Sequence, residues 1–150
     1  MARIVEVKSN FKKVLLRANK SLDLAYGEHI RKTQEDAVKA NPKDTGRMAS
    51  SWKAQEGSYT HDAKPENWND GGGKRSGGSP KVAPDLMDPN AAKLGETWYL
   101  TNSVPYATRL AYDPKYSHGG EGGSAWWTSI TNQNARLLDD RLQAAWNKIP

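Results

Sequence analysis

Three histidines, His29, His61 and His118, are the only imidazoles of this chain, and no cysteine accompanies them. They lie in three different segments, without the short ligand spacings of a zinc site, so the pattern builds no metal centre. The run Gly71-Gly72-Gly73-Lys74-Arg75 invites comparison with a phosphate loop. It lacks a Ser or Thr after the lysine and an apolar strand before the glycines, and it reads as a flexible linker. Asp139 and Asp140 are adjacent in a helical pattern. Neighbours on a helix point about 100° apart, so these two carboxylates do not cooperate as an acid–base pair. Ser50 and Ser51 have neither a glycine elbow nor a nearby histidine. Asp44 is placed to fix a loop through an ion pair with Arg47. No catalytic constellation results, and the expectation is a non-enzymatic protein with no cofactor and no metal.

Charge is the next source of chemistry. Residues 1–53 hold 12 Lys/Arg against 6 Asp/Glu, whereas residues 54–150 hold 10 against 11. A basic first third beside a near-neutral remainder suits contact with nucleic acid or with an acidic protein surface. It also suits an ordinary solvated helix face. The pattern of a zinc finger or of an RNA-recognition sheet is absent, so any DNA contact is expected to be to phosphate rather than to bases. No apolar run approaches the ~18 residues of a membrane helix, and no signal-peptide core is present, so no membrane partner is expected.

The elements that must position these groups follow from periodicity. At 150 residues the chain is expected to be one domain with one core. Residues 1–8 read as a short strand or a loose arm, and Ser9 or Asn10 as a helix N-cap. From there Phe11, Val14, Leu15, Ala18, Leu22, Ala25, Tyr26, Ile30 and Ala37 recur in steps of three and four, which predicts one apolar face of a helix. Lys12, Lys13, Arg17, Lys20, Arg31 and Lys32 are assigned to the opposite face. Gly27 is a candidate break or bend, and Asn41-Pro42 ends the helix. Pro42 to Arg47 is a loop, and Met48 to Gly57 a strand or a helical turn leading into one, anchored by Trp52.

Residues 58–95 are rich in Gly and Pro and poor in apolar side chains. They are expected to form an insertion, either a hairpin extension or a loop that orders against a neighbour. Trp98 and Leu100 alternate with Thr97, Tyr99 and Thr101, which predicts a strand. Asn102 and Ser103 then bring turn chemistry, and Pro105 can open a short helix that carries Tyr106 and Leu110. Asp113 to Ser124 is a second Gly-rich stretch. From Trp127 to Ile149 the spacing is again helical.

Two stretches, PKDTGRMASSW and WYLTNSVPYATRLAY, resemble the small head–tail joining proteins of long-tailed bacteriophages. These are the neck or tail-completion proteins. In that family a long N-terminal helix precedes a motif close to P-x-D-T-G-R-L-x-x-S-W, and L-x-N-x-x-P-Y-A-x-x-L-E-x-G follows farther on. Pro42, Asp44, Thr45, Gly46, Arg47, Ser51 and Trp52 match the first motif, with Met48 in the Leu position. Leu100, Asn102, Pro105, Tyr106, Ala107 and Leu110 match the second. The Glu-x-Gly that usually closes it is replaced by Ala111-Tyr112-Asp113, and the Gln-Ala-Pro-x-Gly segment expected next is absent.

The resemblance implies an α+β fold, with a long N-terminal helix packed on a small, mostly antiparallel sheet, plus a C-terminal helix. It implies a virion protein of the neck, assembled in the host bacterial cytoplasm. Such a protein forms a homo-oligomeric ring, commonly a hexamer and in other cases a dodecamer, and meets connector and tail-tube proteins. Asp44, Thr45, Gly46 and Arg47 would hold the loop after the first helix. Tyr99, Leu100, Asn102, Pro105 and Tyr106 would form a strand-to-helix corner. The basic residues of the first helix would line a DNA channel or meet an acidic partner. A small basic nucleic-acid-binding module is the alternative reading of the same charges.

Overall fold

The computed structural model describes residues 2–40, 47–64, 85–112 and 125–150. Asp44, Thr45 and Gly46, most of the Gly-rich insertion and His118 lie outside those ranges. The fold is α+β. Helix α1 (Ala2–Ala40) has 39 residues, about 58 Å at 1.5 Å per residue. A four-residue helix α2 (Arg47–Ser50) leads into strand β1 (Trp52–Glu56). Strand β2 (Trp98–Asn102) pairs antiparallel with β1, and helix α3 (Ala107–Tyr112) follows. Helices α4 (Ala125–Arg136) and α5 (Leu138–Lys148) complete the order.

Four expectations about helices are corrected. Residues 2–8 are neither strand nor loose arm, because α1 begins at Ala2 and passes through Ser9 and Asn10 without using either as a cap. No Pro or Gly stands between Ala2 and Tyr26 to stop it. Gly27 does not break α1 either. A side-chain Cβ at this position would collide with the Pro89 carbonyl, so glycine is required by the close approach of another backbone. The C-terminal helical stretch is two helices rather than one. The Leu137 amide bonds back to the Asn134 carbonyl at 3.2 Å, an i to i−3 bond that tightens the turn between α4 and α5. Pro105 sits in the turn just before α3 rather than at its first position, and α3 opens with the Ala107 amide bonded to the Val104 carbonyl at 3.0 Å.

The register of the sheet pairs Trp52 with Asn102, Ala54 with Leu100 and Glu56 with Trp98. Residues two apart share a face, so Trp52, Ala54, Leu100 and Trp98 all turn toward the helices. Tyr99 takes the other face and meets the Tyr59 ring edge-on at 5.5 Å. One cluster of the core joins Ala37, Val38, Met48, Trp52, Val104 and Ile130, with Leu100 and Trp127 packed on its rim. A smaller one joins Ile30, Met87 and Ala92, against Tyr26, Ala54 and Trp98.

The described parts of the insertion, residues 58–64 and 85–95, contain no strand. Residues 85–96 lie along α1 of the same chain. The Gln34 amide donates to the Asp85 carbonyl at 2.9 Å, and its Oε1 accepts from the Met87 amide at 3.0 Å. Arg31 donates to the Met87 carbonyl at 2.8 Å, Tyr26 to the Glu96 carbonyl at 2.8 Å, and the Leu94 amide to Asp23 Oδ1 at 2.8 Å. Positions 23, 26, 27, 30, 31 and 34 form one helical stripe. That stripe is the seat of the strap.

Candidate functional site: the α2–β1–β2–α3 corner

The two family-like segments meet in space. Ser51 and Trp52 follow α2, and Trp52 is the partner of Asn102 in the sheet register. Asn102 Nδ2 donates to the Met48 carbonyl at 2.7 Å, and Asn102 Oδ1 accepts from the Val104 amide at 3.3 Å. One side chain therefore ties the end of β2 both to α2 and to its own turn. An Asn at this position does what an Asx turn requires and adds a long-range bond. Ser51 Oγ donates to the Arg47 carbonyl at 2.7 Å and accepts from the Lys64 amide at 3.0 Å. Arg47 Nε donates to the Lys64 carbonyl at 2.7 Å, and the guanidinium carbon lies 5.9 Å from the Tyr106 ring centre. That distance is at the outer limit of a cation–π contact.

Beneath these bonds the Trp52 and Trp127 rings stack, with centroids 5.0 Å apart and planes 19° off parallel. Trp52 is buried and Trp127 half-buried, so both are bound within this chain's own core. A shallow recess of about 190 Å³ opens here between Met48, Trp52, Leu100, Asn102, Ala107 and Trp127. Its polar lining is Asn102 with Thr101 and Thr108, and Thr101 Oγ1 is buried without a hydrogen-bond partner among the described residues. The corner is a lock of hydrogen bonds and aromatic packing. It holds no nucleophile–base pair, and among the described residues no group of three His, Cys, Asp or Glu is gathered to hold a metal ion.

The basic residues of α1 divide into two groups. Arg31 and Lys32 both contact Glu35, at 2.9 Å each, and hold its carboxyl below the usual range although burial works the other way. Arg17 lies 4.2 Å above the Trp146 ring and donates to the Trp146 carbonyl at 2.9 Å. These three are committed to contacts within the chain, so the expected cationic face is not continuous. Lys12, Lys13 and Lys20 are exposed.

Two residues that carry much of the structure were not singled out as site residues from the sequence. Gln34 and Asn134 are fully buried. Asn134 Nδ2 donates to Asp36 Oδ2 at 2.9 Å, and its Oδ1 accepts from Arg141 Nη2 at 2.7 Å. Arg141 Nη1 lies 3.0 Å from His29 Nδ1. Arginine can only donate, so the histidine nitrogen accepts and the ring is neutral in this contact. Burial first, and the Arg141 charge second, push the His29 pKa below the ordinary imidazole value. The signal for Gln34 and Asn134 was a polar side chain on an otherwise apolar stripe, four residues after Ile30 and Ile130 respectively. His61 sits apart, with Nδ1 at 3.2 Å from the Asp62 carbonyl.

Comparison of the chain with family models, with curated proteins and with solved structures returns no match.

Proposed function

We infer that this chain is a structural protein of a phage neck: a ring-forming subunit that completes the tail and joins it to the head around the DNA channel. The reading rests on the resemblance of its two motif segments. The observation that supports it most is their convergence, in which Arg47, Ser51 and Trp52 from one segment and Asn102 and Tyr106 from the other build a single corner. Residues kept together to hold a shape, without a reactive group, fit a part whose work is docking. In this reading the chain is not an enzyme and needs no cofactor. Its partners are further copies of itself, in a hexamer or a dodecamer, and the connector and tail-tube proteins above and below.

Disrupting the gene in the phage that carries it should leave filled heads and finished tails that fail to join, and adding purified protein to that lysate should restore joined particles. Joining at full efficiency without the protein would sink the reading. Arg47→Ala and Asn102→Ala should each lower joining while leaving the chain folded.

A second reading, a small basic nucleic-acid-binding module, draws on the exposed Lys12, Lys13 and Lys20. It requires binding of the free chain to duplex DNA whose log affinity falls with log salt at a slope of about −0.9 per phosphate contact. Absence of binding at low salt removes it.

A further inference from the structure

The apolar stripe of α1 outruns its cover. Ser21, Ala25 and Ile30 are buried, the first two within the span of α1, from Arg17 to His29, that contacts α5. One to three turns earlier the same stripe continues as Ala18, Leu15, Val14 and Phe11, at the same helical steps. There Phe11 is 67% exposed, Val14 55% and Leu15 49%, with the adjoining Leu16 at 57%. Single exposed hydrophobics are ordinary, but four within two turns of one helix form a patch that marks an interaction surface.

The same molecule carries a surface that fits this patch. A groove of about 490 Å³ runs between α1 and α5, walled by Ala18, Leu22, Leu142, Trp146, Asp139 and Gln143. It is apolar along its floor, and Leu138 and Leu142 on α5 are 43% and 38% exposed beside it. The charges are complementary as well. Lys12 and Lys13 stand on the turn that carries the patch, Asp139 stands in the groove wall and Asp140 is next to it. All four are exposed, and none has an ion-pair partner among the described residues. Continuity with the internal α1–α5 packing and this charge match both point to the occupant.

We propose that the groove between α1 and α5 receives the Phe11–Leu16 segment of a second copy of this chain. Phe11 and Leu15 enter the groove against Leu22, Leu142 and Trp146, and Lys12 meets Asp139. The donor segment and the acceptor groove are different surfaces, so the contact can run head to tail and close a ring, or be exchanged reciprocally in a dimer. Its biological meaning rests on the ring reading above, but its geometry does not.

The test is the native mass of the full chain across a concentration series, by sedimentation velocity. The wild type is expected to self-associate. A donor variant, Phe11→Asp with Leu15→Asp, and an acceptor variant, Leu142→Asp, should each raise the association midpoint about tenfold or more. Phe11 and Leu15 are already largely in water, so the donor variant keeps its fold. Asp139→Lys, at an exposed position, is the second acceptor variant, and pairing it with Lys12→Glu should recover association. Mixing donor-defective with acceptor-defective chains leaves one intact contact and should give pairs where each chain alone gives monomers.

A wild-type ring unmoved by all of these substitutions overturns the inference and leaves the ring reading standing. A wild-type dimer sensitive to them supports the inference and counts against the ring. A wild type that stays monomeric at every concentration overturns the inference. So does one whose Phe11–Leu16 segment instead binds vesicles of phosphatidylserine.

Discussion

The two halves of α1 have the same amphipathic spacing and opposite surroundings. From Ser21 to Val38 the helix is wrapped by β1, α4, α5 and the 85–96 strap, and its polar residues are drawn into clasps: Gln34 to the strap, Asp36 to Asn134, Arg31 to Met87. From Phe11 to Leu16 the apolar residues stand in water. Spacing alone therefore does not decide burial. What decides it is whether another element carries the complementary groups to that stretch. The wrapped half should govern the stability of the monomer, and the bare half should govern association.

The largest effect should come from Gln34→Leu. It removes the partner of the buried Met87 amide, and with it the bonds to the Trp52 and Asp85 carbonyls; a buried orphan costs about 1–3 kcal/mol. Urea denaturation should show the loss, and a variant as stable as the wild type would mean that the strap does not need its clasp. Gly27→Ala comes next. Its methyl would meet the Pro89 backbone rather than a movable side chain, so a loss of roughly 1–3 kcal/mol is expected, where Gly→Ala in an open helix would stabilise. An increase in stability would break the argument that backbone approach explains this glycine.

The His29–Arg141 contact gives a pH test of the wrapped half. The folded pKa of His29 is below its unfolded value, so the unfolded chain binds the proton more readily. Stability from this contact is full above the ordinary imidazole pKa of about 6.5. It is lost as pH falls through that value toward the lower folded one. Arg141 faces the ring, with Glu28 and Asp36 close enough to act on the arginine, so the loss is a contest between one new cation and these two carboxylates. His29→Gln keeps an acceptor and should flatten the stability profile in this window; an unchanged slope would assign the pH dependence elsewhere. The smallest effect belongs to the bare half. Phe11→Ala should alter monomer stability by less than about 0.5 kcal/mol, as expected of a surface position. A larger change measured below the association range would show that Phe11 is covered within the monomer.

Much of the fold could be read directly from the residues. The apolar stripe of α1, the strand at Trp98–Asn102 with Trp98 and Leu100 facing inward, and the strand anchored by Trp52 are all local patterns, and local patterns set secondary structure. Ser9 and Asn10 have N-cap side chains but do not start α1, because no Pro or Gly upstream prevents the helix from extending back to Ala2. The division of the C-terminal stretch escaped periodicity because Leu137 keeps the helical step while the Asn134 carbonyl, engaged by the Leu137 amide and Arg141, redirects the chain.

The corner was legible in part. Arg47, Trp52, Asn102 and Tyr106 could be named from the sequence, but not that Asn102 would reach Met48 or that Trp52 would stack on Trp127. Those bonds join residues 54 and 75 positions apart, and no local rule carries information over that distance. Most of the helix and strand segments, and the apolar face of each, follow from the residues alone, because backbone sterics and side-chain periodicity act between near neighbours; the start of α1 and the division between α4 and α5 do not. Which part of α1 is covered, why residue 27 must be glycine, and which of the described cations are drawn into contacts within the chain were settled only by tertiary packing. Burial, close approach and charge pairing each depend on a second segment that arrives from elsewhere in the chain.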